Sequence, residues 1–447
     1  MQCSRRQVLG GIGAGAAAGL LGVPASAAES EPDTERVFVH PKTGLLDGLG
    51  DFFGLIEAVG GTTLLEYDNF EFVVARVPTT GLDELRGDDR VAFVEDDDET
   101  GIPGDWSPTL PDLLDPPDGA DCATHPDQRP SWGLERIGAD GVEQNGAGVD
   151  VGILDTGIQS AHCSLSVADG RNVTGDGPPG DYEDRHGHGT HVAGIVGALD
   201  NGRGVVGVAP DVNLHAVKVL DDDGAGRYSQ LIAGIDWCLS NDVELISMSL
   251  GGDAESASLS RAIDKAHSAG HLLLCAAGNE GTDGGDSCDA ATMTYPATHE
   301  NVVAVTAMNE DETLASYSSV GSAVDLLAPG TEINSTTVDN RYAQASGTSM
   351  ACPFVTGVAA LVWERRDENG PGPNDPVREI LGGTAETVLG TCAEGDGLVN
   401  ARAAVGDERA TEGATWNDGV VAGLRSLLER VVDLIADFFE WLRGLFS

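Results

Sequence analysis

GVDVGILDTG, residues 148–157, is a short apolar run that ends on an aspartate and a glycine turn. Four more runs of the same kind follow: VNLHAVKVL (212–220), VELISMSLG (243–251), HLLLCAAG (271–278) and NVVAVTAM (301–308). Between them lie HVAGIVGAL (191–199), YSQLIAGIDWCLSN (228–241) and SLSRAIDKAHSAG (258–270), whose apolar residues recur about every 3.6 positions. Strands that are apolar throughout and alternate with helices predict an α/β fold. Its core would be a doubly wound, mostly parallel sheet with helices on both faces. In such sheets, sites gather beyond the carboxyl ends of the strands. Asp155 stands at one of those ends.

Upstream, RVFVH (36–40), FEFVVARVP (70–78) and VAFVE (91–95) alternate like strands around a helix-like segment at 45–61. This is a small α+β unit closing on the acid run EDDDE (95–99). From Thr100 to Arg129 the composition shifts to Pro, Asp and Gly, which marks a linker. The N-terminus pairs Arg5 with Arg6 ahead of a short run of small apolar residues and an A-x-A site at Ala25–Ala27. That pattern resembles a twin-arginine export signal and places the mature protein outside the cell. No later stretch is long and apolar enough to span a membrane.

The chain has 447 residues and a net charge of −48, from 73 acidic residues against 25 basic ones. Only Lys42, Lys218 and Lys265 are lysines. Such a surface repels nucleic acid. With 41% hydrophobic residues the chain is nonetheless foldable, and concentrated salt is its natural solvent. At about 1 M salt the Debye length is only ~3 Å, so self-repulsion is muted. Of the eight cysteines, Cys3 falls in the signal, and the seven left over cannot all pair. Cys122 and Cys163 are one possible bridge, but connectivity is not readable from sequence.

HGHGTHVAG (186–194) holds three histidines in six residues. A metallohydrolase would need the carboxylate of an H-E-x-x-H arrangement, which is missing. Instead His188 opens a helical segment, Asp155 ends a strand, and Ser349 in SGTSMACPFVTG starts a long apolar helix. Asp, His, Ser is one of the chain orders of a serine triad. A hydroxyl is a weak nucleophile until an imidazole takes its proton, and the imidazole needs a carboxylate to hold its tautomer. A serine at a helix N-terminus also has backbone N–H groups aimed at a developing oxyanion.

DTGI (155–158), HGTHVAG (188–194) and GTSMA (347–351) resemble the three active-site motifs of subtilisin-like serine proteases. The acidity and export signal are similar to those of the halolysins, their salt-adapted secreted branch. The resemblance implies a secreted endopeptidase acting on polypeptides through an acyl-enzyme on Ser349, with His188 as base and Asp155 orienting it. It leaves His191 as a packed helix residue and His186 in the approach to the site. It makes Asn279, in AAGNEG (276–281), the second oxyanion donor. Gly224, Ala225 and Gly226 would line one edge of the substrate, and Ser249, Leu250 and Gly251 the other, with Glu280 near the pocket floor. ALDNGRGVVGVAP (198–210) resembles a calcium loop, with ligands from Leu199, Asn201, Arg203 and Val205, although Ser164 replaces the family's aspartate. No organic cofactor is implied.

The expected organisation is a signal at 1–27, an inhibitor-like propeptide at 28–99 and a processing linker at 100–130. The catalytic domain follows at 131–405, and a tail at 406–447. The propeptide would act as an intramolecular inhibitor. The tail carries an amphipathic helix from Val420, suited to docking, self-association or a membrane surface. Its polar face mixes charge signs and lacks lysine, which weakens the last option.

Overall fold

The computed structural model describes residues 33–42, 49–104, 106–111, 122, 125–281, 292–365 and 374–406. The expected export signal and tail helix lie outside them. Among the described residues no helix is long and apolar enough to cross a membrane.

The N-terminal unit is β1 (Thr34–Pro41), α1 (Leu49–Ala58), β2 (Thr62–Glu66), β3 (Val73–Pro78), α2 (Leu82–Gly87) and β4 (Val91–Asp96). Its strands form an antiparallel sheet in the order β2-β3-β1-β4. The period of two splits each strand between two cores. Val37 and Val39 join Phe52, Ile56 and Leu85 inside the unit. Phe38, Phe72 and Val74 face the other way, into the second unit.

The second unit begins with β5 (Glu99–Gly101), α3 (Trp132–Arg136), β6 (Asp150–Asp155), β7 (Val167–Asn172), α4 (His188–Gly197) and β8 (Asn213–Lys218). It continues with β9 (Ala225–Arg227), α5 (Tyr228–Ser240), β10 (Leu245–Met248), α6 (Ala257–Ala269), β11 (Leu272–Ala276) and β12 (Val302–Met308). The last elements are β13 (Leu326–Pro329), β14 (Ile333–Thr337), β15 (Arg341–Ala345), α7 (Thr348–Glu364), α8 (Asn374–Gly383) and α9 (Ala401–Ala404). Seven strands make one parallel sheet, β13-β12-β11-β10-β6-β8-β7. Its alternating side chains feed two apolar layers. Val151, Leu274 and Val305 pack with α4 and α7, whereas Ile246, Leu273 and Cys275 pack with α5 and α6. The expected doubly wound α/β sheet is therefore present.

All five apolar runs are strands of this sheet. The two strands they do not announce are its edges. β7 reads VADGRN and is largely solvent-facing, so nothing there demands an apolar run. β13 is four residues long.

The acid run closing the N-terminal unit works as a set of helix caps. Asp97 accepts from Ser229 N (2.9 Å) and Ser229 Oγ (2.7 Å) at the start of α5. Glu95 accepts from Ala257 N (2.6 Å) and Ser258 N (2.9 Å) at the start of α6. In return, Asp236 of α5 accepts from Asp68 N and Asn69 N, both at 2.8 Å. Carboxylates at helix N-termini satisfy orphan N–H groups and meet the positive end of the dipole.

The segment expected to be a linker is fastened to the second unit. β5 pairs with β9, Thr109 bridges Gln344, and Asp127 bridges Arg203. Cys122 is disulfide-bonded to Cys163, Cα to Cα 5.5 Å. Cys392 is disulfide-bonded too. Cys238, Cys275 and Cys352 are free and buried.

Candidate active site

β6 has β8 on one side and β10 on the other, and the chain's direction of winding reverses there. The site lies in that crevice, at the carboxyl ends of β6, β10 and β11. Asp155 ends β6 and is fully buried. Both of its carboxylate oxygens approach His188 Nδ1, at 2.8 and 2.9 Å. Oδ1 also accepts Thr156 N at 2.7 Å. A carboxylate on Nδ1 fixes the tautomer that leaves Nε2 free to take a proton. His188 Nε2 has no hydrogen-bond partner among the described residues.

The other two histidines separate as expected. His191 is fully buried, its Nε2 3.1 Å from the Ala343 carbonyl, and burial pushes its pKa down to about 3. It stays neutral and structural. His186 stands beside His188, 6.4 Å between ring centroids, with its pKa lowered by burial and then by that neighbour.

Two residues that hold this geometry were not singled out from sequence. Asp184 is buried and accepts five hydrogen bonds, from Thr156 Oγ1 (3.0 Å), His186 N (2.9 Å), Gly187 N (2.9 Å), Thr190 N (2.9 Å) and Thr190 Oγ1 (2.6 Å). Thr156 Oγ1 in turn accepts Gly189 N at 3.0 Å. Asp184 thus ties the end of β6 to the first turn of α4, which α4 cannot cap itself because Gly187 has no side chain. Lys218 is buried and donates to the Thr156 carbonyl (2.6 Å) and to Asp222 Oδ1 (2.9 Å).

Ser349 is the second residue of α7. Four residues on, Pro353 lacks the N–H that would bond the Ser349 carbonyl. That freed carbonyl accepts Ser249 Oγ at 2.8 Å, which fastens α7 to the end of β10. Ser349 Oγ itself donates to the Ser249 carbonyl at 3.3 Å. Asn279, beyond β11, uses Oδ1 to accept Thr348 N (2.9 Å) and Thr348 Oγ1 (3.0 Å). Its amide orientation is thereby set, with Nδ2 turned to the cleft. Nδ2 donates to the Pro103 carbonyl at 2.8 Å.

The expected substrate edges hold a strand of the chain itself. Gly224 O accepts Ile102 N (3.2 Å), and Gly251 exchanges bonds with Gly101. A Cβ on Gly224 would lie 2.7 Å from Ile102 Cδ1, so glycine permits the close approach. Ala225 and Gly226 pair with Gly101 and Thr100. Leu250, by contrast, is fully buried in the core, its carbonyl 3.4 Å from Cys275 Sγ. Glu280 is exposed.

The residues expected to bind calcium lie on one loop, where Asn201 would give a side-chain oxygen and Leu199, Arg203 and Val205 their carbonyls. Asn201 Oδ1 accepts Arg203 N (3.1 Å), and Ser164 Oγ is bound to Tyr342 Oη (2.8 Å). Leu199, Asn201, Arg203 and Val205 include no carboxylate, which such sites ordinarily use. The nearby Asp200 accepts from Gln128 Nε2 at 2.8 Å. Within the protein the loop is held by Gly202 N donating to Gln128 Oε1 (2.6 Å) and Asn201 Nδ2 donating to Cys163 O (3.0 Å).

A peptide carbonyl lies within reach of a fixed amide donor, and the helix-capped serine is one residue from that donor's own anchor. Asp155 is bonded to His188, whereas Ser349 Oγ is bonded to Ser249 and His188 Nε2 has no partner among the described residues. Comparison with known proteins gives the class. The model of the Subtilase family matches residues 146–415. Subtilisin NAT of Bacillus subtilis subsp. natto is 37% identical over 354 residues, 78% of this chain and 84% of that protein. Subtilisin DY of Bacillus licheniformis is 42% identical over 278 residues, 61% of this chain and 97% of that protein. A thermostable alkaline protease of Halalkalibacterium halodurans is 37% identical over 339 residues, 75% and 83% respectively. The chain belongs to the subtilase family.

Proposed function

We propose that this subtilisin-like serine endopeptidase cleaves peptide bonds through Ser349, His188, Asp155 and Asn279. His188 Nε2 takes the Ser349 proton as Oγ attacks the substrate carbonyl, while Asp155 stabilises the imidazolium. Asn279 Nδ2 and the Ser349 N–H receive the oxyanion. His188 then passes the proton to the leaving amine, and water repeats the sequence on the acyl-enzyme. Gly224–Gly226 and Ser249–Gly251 bind the substrate by strand addition, with main-chain bonds giving affinity.

The observation that most supports this assignment is the Pro103 carbonyl, 2.8 Å from an Asn279 amide whose orientation Thr348 dictates. Residues 28–99 are an inhibitory propeptide, with 100–130 a processing linker and 131–405 the catalytic domain. The protein is exported through the signal at 1–27 as a silent precursor and works outside the cell in concentrated salt. The charge of −48 and the three lysines support the halolysin-like part of this proposal.

Steady-state kinetics on a chromogenic peptide in molar salt test it. Ser349→Ala and His188→Ala should each lower kcat by on the order of 10⁶ with little change in KM. Retention of turnover in either variant would overturn the assignment.

A further inference from the structure

From the N-terminal unit the chain runs into the cleft. Glu99, Thr100 and Gly101 of β5 lie antiparallel to Arg227, Gly226 and Ala225 of β9. On the other edge, Gly101 N donates to Gly251 O (3.0 Å) and Gly251 N to Gly101 O (2.9 Å). Ile102 N reaches Gly224 O, and the carbonyl of the following residue, Pro103, is the one Asn279 holds. Beyond it, Trp106 packs edge-on against His188, 4.8 Å between centroids. Thr109 then exchanges backbone bonds with Gln344, at 2.9 and 2.7 Å. The Pro103–Gly104 bond is therefore fixed on both sides.

Proline at this position has a consequence that follows from ladder geometry. Residues 101 and 251 exchange both bonds, so the next such antiparallel pair is 103 with 249. An ordinary residue at 103 would donate its N–H to the Ser249 carbonyl. Pro103 has none. Ser349 Oγ takes that carbonyl instead, at 3.3 Å, and His188 Nε2 is left without a partner among the described residues.

We propose that Pro103–Gly104 is the enzyme's own processing bond, and that Pro103 slows its cleavage by leaving Ser249 free to divert the nucleophile. This rests on Ser349 being the nucleophile. Ser349 Oγ bonds to the Pro103 carbonyl carbon as its proton goes to His188 Nε2. The C–N bond to Gly104 breaks as that proton passes to the departing amine. Water, deprotonated by His188, then hydrolyses the ester, which restores Ser349 and leaves a carboxylate on Pro103 and an amine on Gly104.

The test follows self-cleavage of the full-length precursor in molar salt, by intact mass and N-terminal sequencing of the earliest product. A serine-reactive phosphonate is mapped on the same preparation. The expected first new N-terminus is Gly104. Pro103→Ala should raise the rate about tenfold, the worth of one backbone hydrogen bond, without moving the cut. Thermal unfolding of Pro103→Ala in a Ser349→Ala background should match Ser349→Ala alone, which shows that the rate change is not loosened docking. A first cut elsewhere, with Ser349 labelled, overturns the assigned bond. A cut at Gly104 with no acceleration in Pro103→Ala overturns the role of the proline. A folded precursor with no label on Ser349 overturns the nucleophile assignment, and the processing proposal with it.

Discussion

Asn279 and Asp184 act on the same chemistry from opposite sides of what sequence can reveal. Asn279 stands out in the sequence because AAGN resembles a family motif, and an amide is needed there because Oδ1 accepts from Thr348 N and Oγ1 while Nδ2 donates to the Pro103 carbonyl. Asn279→Ala should lower turnover by about 10²–10³, the usual cost of one oxyanion donor, with KM little changed. Initial rates over a substrate series check this. Asp184 carries no such signal. It sits in the stretch DYEDRHGHG among many other acids, and its partners are backbone N–H groups and hydroxyls that only the fold brings around it. Asn in its place cannot accept at all five contacts, because one of its two polar atoms is a donor. Asp184→Asn should reduce kcat several-fold more than it changes KM, and Asp184→Glu should recover part of the loss. An equal fall in both parameters, tracking a fall in Tm, would show that Asp184 only supports the fold. The motif residues Asp155, His188 and Ser349 each stand at an element boundary, the end of β6 and the starts of α4 and α7, and their expected roles came from the family motifs around them.

At the scale of elements, apolar periodicity found the central strands and their helices but not the polar edge strand β7. It also could not show that EDDDE supplies caps. Glu95 in β4 and Asp97, one residue past its end, are two positions apart and reach the starts of two neighbouring helices. Sequence marks only an acid run, since the helices they cap begin more than 130 residues later. Thr100 and Gly101 of β5 were likewise read as linker, because residues with no apolar pattern become a strand only against the edges of the cleft. Asp97→Ala should weaken docking of the N-terminal unit by about 1–2 kcal/mol, the range for a partly buried cap. Binding of added N-terminal unit to the second unit alone, wild type against variant, measures it. Equal affinity would mean that the apolar contacts of Phe38, Phe72 and Val74 carry the docking alone.

For the molecule as a whole, the contact between the two units makes stability depend on pH. His40 of β1 is buried between Phe72 and Phe93, with Nε2 2.7 Å from Ser258 Oγ and Nδ1 2.6 Å from Arg261. Burial, and then the Arg261 charge, lower its pKa to about 3. A histidine freed from this contact titrates near 6.5. The docked state therefore binds fewer protons than the undocked one. Its stability is full above about 6.5 and is lost as pH falls toward about 3, by up to about 1.4 kcal/mol per unit. Unfolding of the full-length Ser349→Ala protein between pH 8 and 4 should show this slope, and His40→Gln should flatten it. The folded enzyme, treated in molar salt with a serine-reactive phosphonate, is digested and mapped by mass spectrometry. A single adduct on Ser349, absent from His188→Ala, is the predicted result; an adduct on another serine, or full activity with none, would contradict it.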